Sequence, residues 1–359
     1  MSGTVELKEG ARNLLKNCAN LQTRDSLLVI YETPEEGWYD QGVVDAVFKT
    51  ARDLGVEPSR LKVGAPGNEE NPAVTESISR HDCTIFLTRL GDQDRFAKMA
   101  PGQRTVMVYT RTTDMLASNY GTTPHQAMED LKCAIHGIMR NTREIVITCP
   151  LGTHLTGDTS QTMWEDTGDV SVKRFPLGVP QPIGAASFSG QVALSRYLTT
   201  TGCKVYTPDH AALDGTAFAQ VENGRIKEFT GPAKTVEQIK QHYDFVSELF
   251  GIDPDFIHSW HAGMHPGCSY LPSAAAHPDR WSNNVFTHPQ FVHFHTCGAY
   301  APGEICWMVK DQTITFDGVA LWEQGRMMPA SFPLASGCLE RWPVLRPLFA
   351  NPSANIGLK

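Results

Sequence analysis

In the first 150 residues, segments with helical periodicity alternate with short apolar runs. Between residues 41 and 54, apolar side chains recur every three or four positions, which predicts a helix with one buried stripe. A second helix is predicted to begin with Thr122 or Thr123 as its N-cap and Pro124 in its first turn. Apolar runs that lack polar alternation are typical of strands covered on both faces, and they occupy residues 26–31, 61–63, 83–87, 105–109 and 144–148. The alternation predicts an open, mostly parallel sheet with flanking helices.

After residue 150 the pattern changes to turns and short strands. Residues 177–190 are dense in Gly and Pro, and the pair Asn223-Gly224 between two strand-like runs predicts a hairpin. A further helix is predicted over residues 236–250, followed by strands at 291–295, 305–309 and 313–316. The predicted fold class is α/β. A parallel-sheet domain over residues 1–145 precedes an α+β domain, rich in antiparallel hairpins, over residues 146–359.

Composition and charge narrow the possible partners. The chain has 359 residues, enough for two domains, and 41% of them are hydrophobic. Its net charge of -8 and the lack of a Lys/Arg run argue against nucleic acid as a partner. No apolar run reaches membrane-spanning length and the first twenty residues lack the apolar core of a secretory signal, so we expect a cytoplasmic protein with no membrane partner. Nine irregularly spaced cysteines without a C-x-x-C pair indicate reduced thiols.

Histidine clustering is the most unusual feature of the sequence. Seven of the 13 histidines lie between residues 258 and 295. In the run Phe-Val-His-Phe-His, His293 and His295 point to the same face of the predicted strand, about 7 Å apart at Cα. Imidazoles at that separation can bind one metal ion, since metal–nitrogen distances are about 2.0–2.1 Å. The strand therefore predicts two ligands of a metal site.

A second histidine cluster supplies candidates for a further ligand. His258, His261 and His265 follow the predicted helix at 236–250, and Gly263 and Pro266 favour a loop there. Any of the three histidines in such a loop can point at the metal.

Other catalytic signatures are absent from the sequence. It contains no H-E-x-x-H, no P-loop, no G-x-G-x-x-G after a strand and no G-x-S-x-G. Cys297 and His295 would share a strand face, so a Cys/His nucleophilic pair stays an alternative, although no third group that would activate it is identified.

Short motifs along most of the chain resemble those of one superfamily. Residues 14–31 and 43–55, the turn Gly-Thr-His-Leu-Thr at 152–156, Phe-Pro-Leu-Gly at 175–178 and the hairpin at 221–226 occur in the expected order. In this order they resemble the thermophilic-type metallo-aminopeptidases and their relatives, the 2,5-dihydroxypyridine 5,6-dioxygenases.

The metal ligands favour the dioxygenase branch of this resemblance. The aminopeptidases hold two divalent ions with several carboxylates, one of which follows the Phe-Pro-x-Gly segment, where this chain has Val179. The dioxygenases hold one Fe(II) with a histidine after the late helix and a later His-x-Asp. The resemblance implies His261 as the first ligand, with His258 or His265 as alternatives, and His293 as the second.

The third ligand departs from the family pattern, because His295 stands where the dioxygenases have Asp. Three neutral imidazoles leave Fe(II) at a charge of +2, which favours an anionic, chelating substrate. The resemblance also implies that Arg89 and Arg174 bind substrate, and that Arg174 and His154 take part in catalysis.

With these histidines, the resemblance implies a mononuclear non-haem Fe(II) dioxygenase. It would open an electron-rich hydroxylated aromatic or heteroaromatic ring with O₂, and by family analogy it would form a homo-oligomer. One alternative is a Zn-dependent aminopeptidase or amidase. Another is a non-catalytic metal-binding protein.

Overall fold

A computed structural model describes residues 2–67, 71–93, 100–158, 170–202 and 205–358. The chain divides into two compact units. The first unit contains Met1–Glu129, Val170–Gly178 and Gly267–Ser269. The second contains Asp130–Asp169, Val179–Pro266 and Tyr270–Lys359. The predicted boundary at residue 145 remains a prediction.

The first unit is a parallel sheet with helices. In chain order its elements are α1 (Ser2–Arg12), β1 (Leu27–Glu32), α2 (Gln41–Asp53), β2 (Ser59–Val63), α3 (Pro72–Ser79), β3 (Cys83–Leu87), α4 (Leu90–Gln93), β4 (Arg104–Val108), α5 (Thr113–Ala117) and α6 (Asn119–Thr122). The helix α7 (His125–Arg140) begins in this unit and continues into the second.

All pairs in this sheet are parallel, and the strand order is β2-β1-β3-β4-β7, where β7 is a later strand at Lys173–Phe175. The strand β3 is buried along its whole length, as expected of a parallel strand covered on both faces. Helix α2 buries a stripe that includes Val43, Val47 and Phe48, the positions that its periodicity predicts. The predicted α/β fold class is confirmed.

Two strands differ from the sequence prediction. The run at 144–148 forms β5 (Glu144–Thr148), but it joins an antiparallel sheet rather than the parallel one. Only Ile145 and Ile147 of its side chains are fully buried, so this strand is fully covered on one face. The place it was expected to fill is instead taken by β7, a three-residue strand that the sequence analysis did not predict.

The second unit contains the remaining elements. They are β6 (His154–Asp158), β8 (Ile183–Gly184), β9 (Ser189–Leu194), β10 (Tyr197–Thr200), β11 (His210–Ala212), β12 (Ala217–Glu222), β13 (Arg225–Thr230), α8 (Ala233–Phe250), β14 (Ile257–Ala262), α9 (Pro278–Val285), β15 (Phe291–Thr296), β16 (Ile305–Lys310), β17 (Thr313–Phe316), β18 (Val319–Glu323), β19 (Arg326–Met327), α10 (Pro333–Arg341) and α11 (Leu345–Ala350).

Two antiparallel sheets organise this unit. Six strands follow the order β11-β10-β16-β15-β14-β8, and eight follow the order β13-β12-β9-β6-β5-β17-β18-β19. The predicted hairpin is present, since Asn223 (φ 50°) and Gly224 (φ 69°) connect β12 and β13. Within the described ranges, no helix has the length and apolarity needed to cross a membrane.

Candidate metal centre

Three histidines come together on one face of the six-stranded sheet. His261 lies on β14 directly opposite His293 on β15, and His295 lies two residues further along β15. Residues directly opposite each other in an antiparallel pair share a face, as do residues two apart on one strand. Strand pairing therefore brings the three imidazoles to the same face, and the predicted sharing of a face by His293 and His295 is observed.

The rings converge closely. Ring centroids are 4.8 Å apart for His261 and His293, 5.1 Å for His261 and His295, and 4.4 Å for His293 and His295. One nitrogen from each ring can be chosen so that all three lie within 4.8 Å of one another. The residues are 2%, 7% and 6% exposed, respectively, so the group is almost fully removed from bulk solvent.

The donor set fits one metal ion. The Nε2 atoms of His261 and His295 are 3.1 Å apart. At a metal–nitrogen distance of about 2.0–2.1 Å, two nitrogens bound at a right angle would be about 2.9 Å apart, and two at a tetrahedral angle about 3.3 Å. The observed separation lies between these values. Among the described residues, this is the group of three or more His, Cys, Asp or Glu side chains that could hold an ion.

The surroundings of the three rings are apolar and sulfur-containing. Phe286, just after α9, lies 5.9 Å from the ring of His261 and 5.6 Å from that of His293. On β16, Met308 stands opposite His293 and Cys306 opposite His295. The sequence analysis missed these neighbours, because only the register between the strands identifies them.

The opposite face of the sheet is hydrophobic core. Trp260, Phe294 and Trp307 form a row across β14, β15 and β16, with ring centroids 6.5 Å and 5.8 Å apart. Phe188 contacts Trp260 at 5.5 Å. Because these aromatic side chains are buried on one face of the sheet, the alternate residues of each strand, including the three histidines, lie on the other face.

The other histidines of the second cluster, His258 and His265, lie outside the group. His258 contacts the Ser259 hydroxyl through Nδ1 at 2.9 Å, and burial lowers its pKa. His265 is fully buried, and desolvation lowers its pKa to about 3. The prediction of a loop here is wrong for His258 and His261, because both belong to β14. The strand ends at Ala262, and the next residue, Gly263, donates its N–H to Phe291 O at 3.1 Å.

Arg89, predicted to bind substrate, follows β3 in the first unit. Its Nε lies 3.1 Å from Oε2 of the buried Glu32, and its Nη2 lies 3.3 Å from Oε2 of Glu36. Its guanidinium also stacks 4.6 Å from the ring centroid of Trp38. The side chain is thus held in one orientation by two carboxylates and an aromatic ring.

Arg174 and His154 occupy different positions. Arg174 lies on β7 in the first unit, partly buried, and the structure shows no hydrogen-bond partner for its Nε. His154 begins β6 in the eight-stranded sheet, where its side chain is exposed. It does not belong to the histidine group.

The nucleophilic alternative finds no support. Cys297 follows β15 with φ 60° and is buried. Desolvation raises the pKa of its thiol to about 12, with the charge of Glu304 adding to the rise. Because the thiolate is the nucleophile, a thiol with this pKa is inert at neutral pH.

No family model and no curated protein matches the chain. Solved structures that share its fold include the following two. One is the 2,5-dihydroxypyridine dioxygenase from Pseudomonas putida KT2440, with a TM-score of 0.61 and 13% identity over 91% of this chain and 98% of that one. The other is AmpT from Thermus thermophilus, a thermophilic aminopeptidase, with a TM-score of 0.51 and 11% identity over 90% of this chain and 99% of that one. The chain therefore has the fold of the two protein groups that its short motifs resemble.

Proposed function

We propose that the chain is a mononuclear non-haem Fe(II) dioxygenase that opens an electron-rich hydroxylated aromatic or heteroaromatic ring with O₂. The observation that carries this proposal is the convergence of His261, His293 and His295 at one buried point. It is supported by the fold shared with a 2,5-dihydroxypyridine dioxygenase.

The composition of the ligand group supports a single ion. Two-metal hydrolytic sites need carboxylates that bridge the ions, and the group contains three imidazoles and no carboxylate. Val179, which follows the Phe-Pro-Leu-Gly segment, supplies none. Neutral imidazoles leave the full charge of the ion uncompensated, so the site favours a substrate that binds as an anion through two adjacent heteroatoms.

The protein's part in this chemistry is to hold and shield the reactants. When bound, Fe(II) supplies open coordination positions and an electronic path between an electron-rich ring and O₂. His261, His293 and His295 would hold the ion through one ring nitrogen each. Phe286 packs against two of the rings, and the low exposure of the group keeps bulk water away from the ligand nitrogens.

The roles proposed for three further residues rest on the resemblance. Arg89 and Arg174 would bind an anionic substrate, and Arg174 with His154 would assist proton transfer or stabilise developing charge.

The proposal is tested by metal content and oxygen uptake of anaerobically purified protein. We expect Fe(II)-loaded protein to consume O₂ with a hydroxylated pyridine, and His293→Ala to lose at least nine-tenths of both bound iron and oxygen uptake. His258→Ala is the matched control, because His258 lies on β14 but outside the group. Full iron binding by His293→Ala, or equal losses in both variants, would contradict the proposed ligands.

A zinc hydrolase is the second candidate function. Three histidines and an open position also form a catalytic zinc site, and AmpT shares the fold. This candidate predicts amide cleavage by Zn-loaded protein under nitrogen, with no O₂ consumption by the Fe(II) form. Oxygen uptake that depends on Fe(II), without amide cleavage, excludes it.

A further inference from the structure

A cavity in the second unit is lined by three cationic side chains. Its volume is about 380 Å³, and Arg196, Lys310 and Arg326 reach it from three separate segments. None of the three histidines of the metal group lines it. The cavity is therefore a separate feature from the proposed metal site.

The cationic charge of this cavity is only partly neutralised. Lys310 forms an ion pair with Asp311, whose other oxygen accepts a hydrogen bond from Gln290 at 2.6 Å. Arg196 and Arg326 make no ion pair with any described residue. Neither Asp311 nor Glu323, which pairs with Arg326 across the hairpin backbone, lines the cavity. The lining side chains thus carry a net positive charge.

The backbone holds the cationic residues in place. Arg196 adopts φ 68° in the turn between β9 and β10, and its carbonyl accepts a hydrogen bond from Leu213 at 2.8 Å. Arg326 follows the turn Gln324-Gly325, in which both residues have positive φ. A Cβ on Gly325 would lie 2.9 Å from Cγ of Gln290, so this turn packs closely against the segment before β15. The backbone therefore fixes the positions from which the exposed Arg196 and Arg326 side chains line the cavity.

The remaining titratable group of the wall is neutral. His288 lies against Ser353 O through Nε2 at 3.1 Å, and its Nδ1 accepts the N–H of Gln290 at 3.1 Å. This pattern requires the proton on Nε2. Burial lowers the pKa of His288 to about 4, so the ring carries no charge at neutral pH. The charge of the lining therefore comes from Lys and Arg.

We propose that this cavity binds a small molecule with two or more negative charges, presented by a phosphoryl group or by neighbouring carboxylates. Guanidinium groups bind both kinds of oxyanion through paired N–H donors. The volume lies within the range of small-molecule sites. Because Gln290 lines the cavity and directly precedes β15, the ligand would lie beside the strand that carries His293 and His295.

The proposal is tested by calorimetric titration of the full chain with inorganic phosphate and with tricarballylate, at ionic strength held constant with sodium chloride. We expect saturable binding of at least one probe, weakened at least tenfold by Arg196→Gln combined with Arg326→Gln. Arg225→Gln is the control, since Arg225 is a partly exposed arginine on a different hairpin, where it pairs with Asp253. It should change the affinity less than twofold.

The outcomes separate the two ligand classes, and they separate the anion site from the proposed metal site. Binding of phosphate alone assigns a phosphoryl ligand, and binding of tricarballylate alone assigns a carboxylate ligand. The titration is repeated with the His293→Ala variant to show whether the probe binds at the metal group. A probe that binds in the cavity should still bind this variant, because His293 does not line the cavity. No saturable binding, loss of binding in His293→Ala, or equal weakening by Arg225→Gln would overturn the anion site and leave the proposed iron chemistry untouched.

Discussion

Histidine has two distinct roles in the second unit. His261, His293 and His295 face one another, whereas His265 and His288 are buried as neutral rings with pKa values lowered to about 3 and 4. The density of histidine in the sequence predicted a metal site, and strand alternation correctly predicted that His293 and His295 share one face. It could not choose among 258, 261 and 265, because that choice depends on which residue of β14 pairs with His293.

Replacing His295 by Asp, the residue of the resembled dioxygenase pattern, tests its proposed role as a ligand. We expect His295→Asp to retain iron and to shift turnover from anionic towards neutral hydroxypyridines, because a carboxylate lowers the net charge of the site from +2 to +1. Iron content and the ratio of the two turnover rates are the measurements. If neither changes, His295 does not bind the metal.

A buried ion pair in the first unit gives a residue-scale prediction about stability. Glu32 is 1% exposed and accepts hydrogen bonds from Thr88 Oγ1 at 3.1 Å and from the backbone N–H and Nε of Arg89. We expect Glu32→Ala to lower the free energy of unfolding by about 3–5 kcal/mol, because it leaves Arg89 without its buried partner.

The control for this prediction is the second carboxylate on the same arginine. Glu36 is more exposed, so Glu36→Ala should cost less than about 1 kcal/mol. Chemical denaturation of both variants makes the comparison. Equal small losses would show that the Glu32–Arg89 pair contributes no more than a surface pair.

At the scale of elements, sequence periodicity succeeded where a strand or helix buries its own regular face. Helix α2 is of this kind, and strand β15 was also predicted although it is buried at all six positions. Sequence periodicity failed for β7, which is three residues long, and for β14, whose glycine-flanked sequence suggested a loop. Such segments become strands through hydrogen bonds to distant partners, here β4 and β15, and no local pattern records those partners.

The end of β14 offers an element-scale test. A Cβ on Gly263 would lie 2.2 Å from the carbonyl oxygen of His288, so a side chain there must displace backbone. We expect Gly263→Ala to lower the free energy of unfolding by about 1–3 kcal/mol and to weaken iron binding, because β14 carries His261.

Gly337 on α10 provides the matched control. A Cβ there meets nothing within 4 Å, so Gly337→Ala should leave iron affinity unchanged and stabilise the helix by about 0.5–1 kcal/mol. Denaturation midpoints and iron titrations give both values. Unaltered iron affinity in Gly263→Ala would show that the close approach at the end of β14 does not position His261.

At the scale of the whole molecule, buried neutral histidines predict acid sensitivity. Burial lowers the pKa of His242 and His288 to about 4 and that of His265 to about 3. The unfolded chain therefore binds protons below about pH 6.5 that the folded chain does not bind. Stability should be full above that pH and should fall as the pH drops towards 4, by at most about 1.4 kcal/mol per pH unit for each histidine.

His210, which is partly exposed, changes the pH dependence of stability in the opposite direction. Its hydrogen bond to Asp209 raises the pKa of His210, so its contribution is present at low pH and is lost as the pH rises through the folded value. Urea unfolding of metal-free protein between pH 7 and 4.5 measures the combined effect of these histidines on the free energy of unfolding. We expect stability to depend less on pH in His288→Gln than in the wild type. If wild-type stability did not fall with decreasing pH, the buried histidines would not be the cause of acid sensitivity.

The path of the chain through the first unit has a consequence for synthesis on the ribosome. The edge strand of the parallel sheet, β7, and the segment Gly267–Ser269 both belong to the unit that begins at the N-terminus. While residues up to about 170 emerge, the outer edge of β4 therefore has no neighbour, and such an edge can pair with another nascent chain. Translation speed and chaperone occupancy over that interval should govern the yield of folded protein, and a fragment cut at residue 145 should aggregate.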